Sequence, residues 1–155
     1  MKRVLMLASV ASMIDQFNMP NIALLQKLGY QVDVTCNFIE GNTCSDERVA
    51  ELKQKLQDMH VRCYQIDFAR NIKHMGQNMR ALRQVEGLMK QNGYAFCHCH
   101  SPIGGVVARI AGHRTRTKVI YTAHGFHFYQ GAPVMNWLVY LSLIHISEPT
   151  RHAQI

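Results

Sequence analysis

The sequence predicts an α/β fold, a Rossmann-like doubly wound parallel sheet with helices on both faces. Three observations lead there. Five short runs rich in β-branched and apolar residues alternate with stretches of helical periodicity along the whole chain. The 155 residues are 48% hydrophobic, with six Tyr, six Phe and nine Met, enough for one buried core and too apolar for a disordered chain. The run Lys118 to Pro133, KVIYTAHGFHFYQGAP, begins as a strand and stops on His124-Gly125. A histidine at that point lies at the carboxyl edge of a parallel sheet, the edge where open α/β folds bind ligands.

The elements follow in order. Arg3 to Ser9 reads as strand one. Lys2-Arg3 before the apolar run Val4 to Ile14 mimics a signal peptide, but a first strand followed by a loop fits the rest of the chain better. That loop passes Asp15 and Asn18 and leads to a helix near Pro20 to Leu28, with proline in a tolerated first-turn position and Gly29 as the stop. Gln31 to Cys36 is strand two. Gly41-Asn42 marks a turn, and a helix starts at Ser45 as N-cap with Asp46 and Glu47 in its positive first turn. Val49, Leu52, Leu56 and Met59 form its buried stripe. Val61 to Ile66 is strand three. A helix from Met75 to Gln91 is expected to bury Met75, Met79, Leu82, Val85 and Met89, and Asn92-Gly93 ends it. Ala95 to Cys99 is strand four, Ile103 to Ala111 a short helix closed by Gly112, and Lys118 to Thr122 strand five. A further helix begins around Pro133. Repeated strand–helix units imply parallel strands joined by crossovers.

Charge and cysteine usage narrow the function classes. The net charge of +7 is concentrated between Arg70 and Lys118, where nine Lys/Arg meet a single acid, Glu86. This reads either as a solvated helix face or as a surface held near anionic headgroups or phosphorylated substrates. Nucleic acid is not expected as a partner, because no recognition motif is present and aromatics do not interleave with the basic residues. Five scattered cysteines make no disulfide framework and suit a reducing cytosol. No apolar run approaches the length of a membrane span.

Cys97-His98-Cys99-His100 has the ligand types of a zinc site. Alternation along a strand sends the cysteines to one face and the histidines to the other, and no C-x-x-C pair exists. No resident metal is therefore expected, although a non-catalytic binding module with a Cys/His metal site stands as an alternative. His100-Ser101-Pro102-Ile103-Gly104-Gly105 falls where strand four meets its helix. Glycines there let a ligand approach the backbone, and the N–H groups opening the helix suit an anion; the same glycines also serve a tight strand–helix turn. Ala8 to Ser12 replaces any G-x-G-x-x-G after strand one, and there is no P-loop. A dinucleotide enzyme or a sugar-nucleotide epimerase is correspondingly disfavoured. His124 sits at the strand end, whereas His127 lies among Phe126, Phe128 and Tyr129. Acids are scarce nearby, which leaves Asp15 in the first loop as a candidate partner for His124.

The tail does not follow the pattern. Leu141 to Arg151, LSLIHISEPTR, matches an in-frame translation of a transposon-end adapter used in sequencing libraries. Two segments are therefore expected: 1–140, a Rossmann-like domain, and 141–155, a non-native tail whose His145 and His152 belong to no site.

Across residues 1 to 140 the chain resembles the N-terminal domain of bacterial family 4 glycosyltransferases. The resemblance is carried by VLMLASVASMIDQF near the start, CHCHSPIGGVVARIA in the middle and KVIYTAHGFHFYQGAP near the end. The subgroup it most resembles builds exopolysaccharide and capsular polysaccharide. The resemblance implies a GT-B architecture, in which this half holds the acceptor and a second domain holds most of a nucleotide-sugar donor. It implies a retaining hexosyl transfer that needs no metal or other cofactor, a polyprenyl-diphosphate-linked or other saccharide acceptor, and a cytoplasmic enzyme at the inner membrane face. It places His124 as the catalytic histidine and Gly104 and Gly105 beside the acceptor. With His100, Ser101, Gly125, Phe126 and His127 these make the expected acceptor site. Serines and alanines after strand one put donor contacts from Ser9 or Ser12 in doubt. Without the second domain and its paired glutamates, the chain by itself is expected to be inactive.

Overall fold

The structure, a computed structural model, describes residues 1–69 and 74–124. Met1–Thr122 forms one compact unit, and Ala123 and His124 open a second, Ala123–Ile155. The strands are β1 (Arg3–Val10), β2 (Gln31–Asn37), β3 (Arg62–Gln65), β4 (Phe96–His100) and β5 (Lys118–Thr122). All are parallel, in the order β3-β2-β1-β4-β5. The helices are α1 (Ala11–Met13), α2 (Met19–Lys27), α3 (Asp46–Asp58), α4 (Met75–Asn92) and α5 (Pro102–Thr115).

The two faces of the sheet are separately packed, as a doubly wound fold requires. Alternation along β1 sends Leu5 and Leu7 to one face, where Ala81, Leu82, Val85, Leu88 and Met89 of α4 and Val107, Ala108 and Ala111 of α5 cover them. Met6 and Ala8 point to the other face, against Ile22 of α2 and Val49, Leu52 and Leu56 of α3. Cys97 and Cys99 are fully buried in the first core. On the second face, His98 lies beside Met6 in register.

Three expectations need correction. No loop follows β1: helix starts at Ala11, and a π-helical turn, Ile14–Asn18, joins α1 to α2. Pro20 therefore falls in the first turn of the second helical segment. Asn18 is fully buried and its Nδ2 donates to the Met13 carbonyl at 3.1 Å, serving an acceptor in the stretch where the π turn breaks the i→i−4 ladder. The inner face of α4 is Ala81, Leu82, Val85, Leu88 and Met89, while Met75 and Met79 are 75% and 48% exposed. The buried i, i+3, i+4 pattern holds only from Ala81 onward. Gly112 does not close α5. It lies buried within the helix, where a Cβ would overlap Val119 Cγ2 and approach Thr117 O to 2.7 Å; the left-handed residue that ends α5 is Arg116. Met59, the C-cap of α3, is half-buried and packs against the same core cluster as Val49, Leu52 and Leu56.

The other signals stand as read. Ser45 caps α3, its hydroxyl accepting the Arg48 N–H at 3.3 Å, and Gly93 ends α4 at φ +60°. β5 has the predicted bounds. The helix around Pro133 and the boundary at Tyr140 lie outside the described residues.

Candidate functional site

In this strand order the chain moves outward from β1 through β2 to β3, then returns to β4 on the other side of β1. The connections diverge between β1 and β4, so the crevice of a doubly wound fold opens at the carboxyl ends of these strands. Ser9 to Ser12 and His100 to Gly105 line that end.

Ser101 organises it. Its Oγ accepts the Ser9 N–H at 3.3 Å and the Gly104 N–H at 3.2 Å, joining β1 to the first turn of α5. To do so its backbone adopts φ +69°, ψ 148°, a conformation ordinarily left to glycine. Pro102 has no N–H, Gly104 N–H goes to Ser101 Oγ and Gly105 N–H goes to the Ser101 carbonyl at 2.9 Å. Of the N–H groups that open α5, that of Gly104 is thus engaged within the protein.

The two glycines have a packing reason. A Cβ on Gly104 would meet Ser101 Oγ at 2.8 Å and Leu7 Cδ2 at 3.0 Å, and one on Gly105 would meet the Tyr121 ring at 3.0 Å. They bring the opening of α5 down onto the strands. His100, the last residue of β4, is fully buried. Its Nε2 lies 3.2 Å from Met6 Sδ, and its ring is 4.3 Å from that of His98, tilted by 45°. His98 Nε2 and Thr122 Oγ1 share a 2.8 Å hydrogen bond. Imidazoles and hydroxyl thus form a column on the α1–α3 side of β4 and β5.

The turn after β1 is held from outside. Asn42, in the loop after β2, accepts the Ala11 and Ser12 N–H groups at 2.7 and 3.4 Å through its Oδ1, and the Ser12 hydroxyl accepts the Thr43 N–H at 3.4 Å. Ser12 is thereby buried and engaged within the protein. Asp15 is bound by Arg48 of α3 through both carboxylate oxygens, at 2.8 and 3.1 Å, so it serves as an ion-pair partner between elements. Local sequence marked Asn42 only as a turn residue; that it caps a helix thirty positions earlier is a tertiary fact.

Among the described residues no three His, Cys, Asp or Glu side chains converge as a metal site. Burial raises the thiol pKa values of Cys97 and Cys36, and that of Cys99 to about 12, so these behave as small apolar side chains. No helix among the described residues is long and apolar enough to cross a membrane. Glu86, the one acid of the basic stretch, pairs with Lys90 at 2.7 Å and Arg114 at 3.3 Å, which together hold its carboxyl below the usual range. Arg109 stacks over Tyr121 at 4.9 Å. His124 follows β5 by two residues and is exposed. Gly125, Phe126 and His127 lie outside the described residues.

Residues 19–147 match the glycosyl transferase 4-like domain family. EpsD of Bacillus subtilis (strain 168), a glycosyltransferase by name, is 34% identical over 142 residues, covering 90% of this chain and 33% of EpsD. The chain thus spans about a third of that relative's length. A glycosyltransferase structure from Rickettsia africae superposes with TM-score 0.62 at 17% identity, covering 90% of this chain and 33% of the other. HepE of Anabaena, solved with UDP and glucose, gives 0.59 at 16% identity over 92% and 35%. At such identities the likeness is one of fold, and the fold is the Rossmann-like half of a GT-B enzyme.

Proposed function

The chain belongs to the glycosyl transferase 4-like family, and from that membership we propose that it forms the acceptor-side half of a retaining, nucleotide-sugar-dependent glycosyltransferase of surface-polysaccharide synthesis. The observation that carries the reading is the 34% identity to EpsD over 90% of this chain. The strand topology supports it: His100 and Ser101 stand at the carboxyl end of β4, and His124 follows β5 by two residues in the chain.

In this reading His124 contacts the sugar in transit. With an imidazole beside the anomeric centre, a hydrogen bond to the sugar stabilises charge that develops as the leaving phosphate departs. Ser101, Gly104 and Gly105 present a close-packed backbone wall to the acceptor, and Gly125, Phe126 and His127 are assigned to the acceptor on sequence resemblance. His100 acts from beneath, through the imidazole column. The reaction uses no resident metal or cofactor, and the donor is a nucleotide sugar held mainly by a second domain; the UDP bound to HepE, a neighbour in fold, makes a UDP-sugar the first donor to try.

The acceptor we propose is lipid-linked. Exposed Met75 and Met79 beside exposed Arg80 and Arg83 on α4 give an apolar and cationic strip suited to a peripheral position at an anionic bilayer. The test is transfer of labelled sugar from each of the common nucleotide sugars, UDP-sugars among them, to a membrane lipid extract by the full-length protein that carries this domain. Transfer supports the reading, and its absence with every common nucleotide sugar contradicts it.

A further inference from the structure

The strongest unassigned feature lies at the opposite, amino edge of the sheet. There the Arg62 guanidinium donates to Asp33 through Nε (2.9 Å) and through its NH2 nitrogen (2.5 Å), and from the latter also to Asn92 Oδ1 (3.1 Å). Arg3 donates Nε to Gln31 Oε1 at 3.1 Å and NH1 to the same Asn92 oxygen at 3.3 Å. Two guanidinium groups therefore converge on one neutral amide oxygen. The single carboxylate of the network, Asp33, is buried and already takes Arg62 twice and the Tyr94 hydroxyl at 2.7 Å. The remaining N–H groups of both arginines have no acceptor among the described residues.

A structural staple would set an acid against each cation, and here one is missing. Lys27, Lys55, Lys90 and Arg114 stand in the last turns of their helices, where the helix dipole accounts for them. Arg3 and Arg62 stand on strands and have no such reason. The nearby C-terminus of α4 does not supply the missing negative charge either, since its Leu88 and Met89 carbonyls accept from Asn92 Nδ2 and Gly93 N–H. In front of the pair is a groove of about 740 Å³ walled by Lys2, Arg3, Gln31, Asn92, Gly93 and Ala95. Sharing Arg3 and Gln31 with it is a second hollow of about 400 Å³, which adds Arg62 and the apolar side chains of Tyr30, Val32 and Met59.

We propose that this amino-edge groove is a second, non-catalytic site for a phosphate-bearing ligand, its dianionic group seated on Arg3, Arg62 and Lys2 and its less polar body in the adjoining hollow. Planar guanidinium forks match phosphate geometry, and two of them held side by side select a dianion over a monoanion. The site is independent of the transferase reading, since it lies at the other end of the strands from the switch point.

The test is a titration of the 15N-labelled chain with inorganic pyrophosphate at low ionic strength, followed by amide shifts. Saturable shifts at Lys2, Arg3, Gln31, Asn92 and Gly93 are expected. Arg3→Gln, which strips no partner from a buried carboxylate, should weaken binding by about tenfold or more. Lys118→Gln, on the same edge but outside the network, should change it by less than about twofold. Lys2→Gln probes the same wall should Arg3→Gln fail to fold. Absence of saturable binding, or equal weakening by Arg3→Gln and Lys118→Gln, overturns the proposal. Sedimentation with phosphatidylglycerol against phosphatidylcholine vesicles separates the two sources of the ligand. Binding that is specific to phosphatidylglycerol and displaced by pyrophosphate assigns a lipid headgroup, and pyrophosphate binding without vesicle binding assigns a free phosphorylated molecule.

Discussion

The Ser101 hydroxyl accepts the backbone N–H of Ser9 at 3.3 Å, tying the carboxyl end of β4 to that of β1 across the point where the topology reverses. The same oxygen caps α5, so one side chain sets both the width of the crevice and the start of the helix behind it.

That double role predicts the effect of removing it. Ser101→Ala loses cap and tie together while keeping a Cβ at φ +69°, and should cost about 1–2 kcal/mol in urea unfolding. Ser101→Gly loses the same hydrogen bonds but relieves the backbone. It should lie closer to wild type than the alanine variant. The reverse order would mean the positive φ carries no strain.

The glycines of α5 should rank by what their Cβ would strike. Gly112→Ala collides with Val119 and with the Thr117 carbonyl, backbone that cannot move aside, and should lose about 2 kcal/mol or more. Gly105→Ala meets only the edge of the Tyr121 ring and should lose less. Thermal midpoints of the two variants check the ranking.

Much of this fold was legible because its signals are local. Ser45 with Asp46 and Glu47, Gly93 after Asn92, and the β-branched start of Lys118 to Thr122 each act within one turn of chain. The errors arose where distant residues decide. Asn42 and Arg48, which reach back to Ala11 and Asp15 more than thirty positions earlier, hold helix where the sequence suggested a loop. Gly112 resembles a helix stop in sequence and is a packing glycine because Val119 returns against it. At the candidate site, placement at the sheet edge was readable from the alternation of strands. The engagement of the α5 N–H groups by Ser101 was not, because it depends on that residue's unusual backbone.

The Arg62–Asp33 pair should behave as a buried charge with a removable partner. Arg62→Met leaves the Asp33 carboxylate, 3% exposed, with only Tyr94, and should cost about 2–3 kcal/mol, somewhat less than a fully buried pair because Arg62 is half exposed. Adding Asp33→Asn should recover a large part of the loss. A double-mutant cycle by denaturation measures the coupling, and additive losses would contradict it.

Burial raises the thiol of Cys63 to about 11 and that of Cys99 to about 12, from 9.0. A group whose pKa is higher in the folded state contributes stability below its unfolded pKa and loses it as pH rises through the folded value. Stability should therefore fall progressively between about pH 9 and 12. Urea midpoints across that range should fall less steeply in Cys63→Ala. In the native state at pH 8, iodoacetamide should leave Cys97 and Cys99 unmodified, as mass spectrometry of tryptic peptides would show.

The central claim is that this chain supplies the acceptor-side, histidine-bearing half of a glycosyltransferase. Its most direct test compares the full-length protein that carries this domain with its His124→Ala variant, measuring transfer of labelled sugar to lipid extract together with the circular dichroism of both proteins. Transfer by the parent and a loss of about a hundredfold or more in the folded variant is the predicted result. Equal turnover in the two proteins would remove His124 from the reaction and contradict the account.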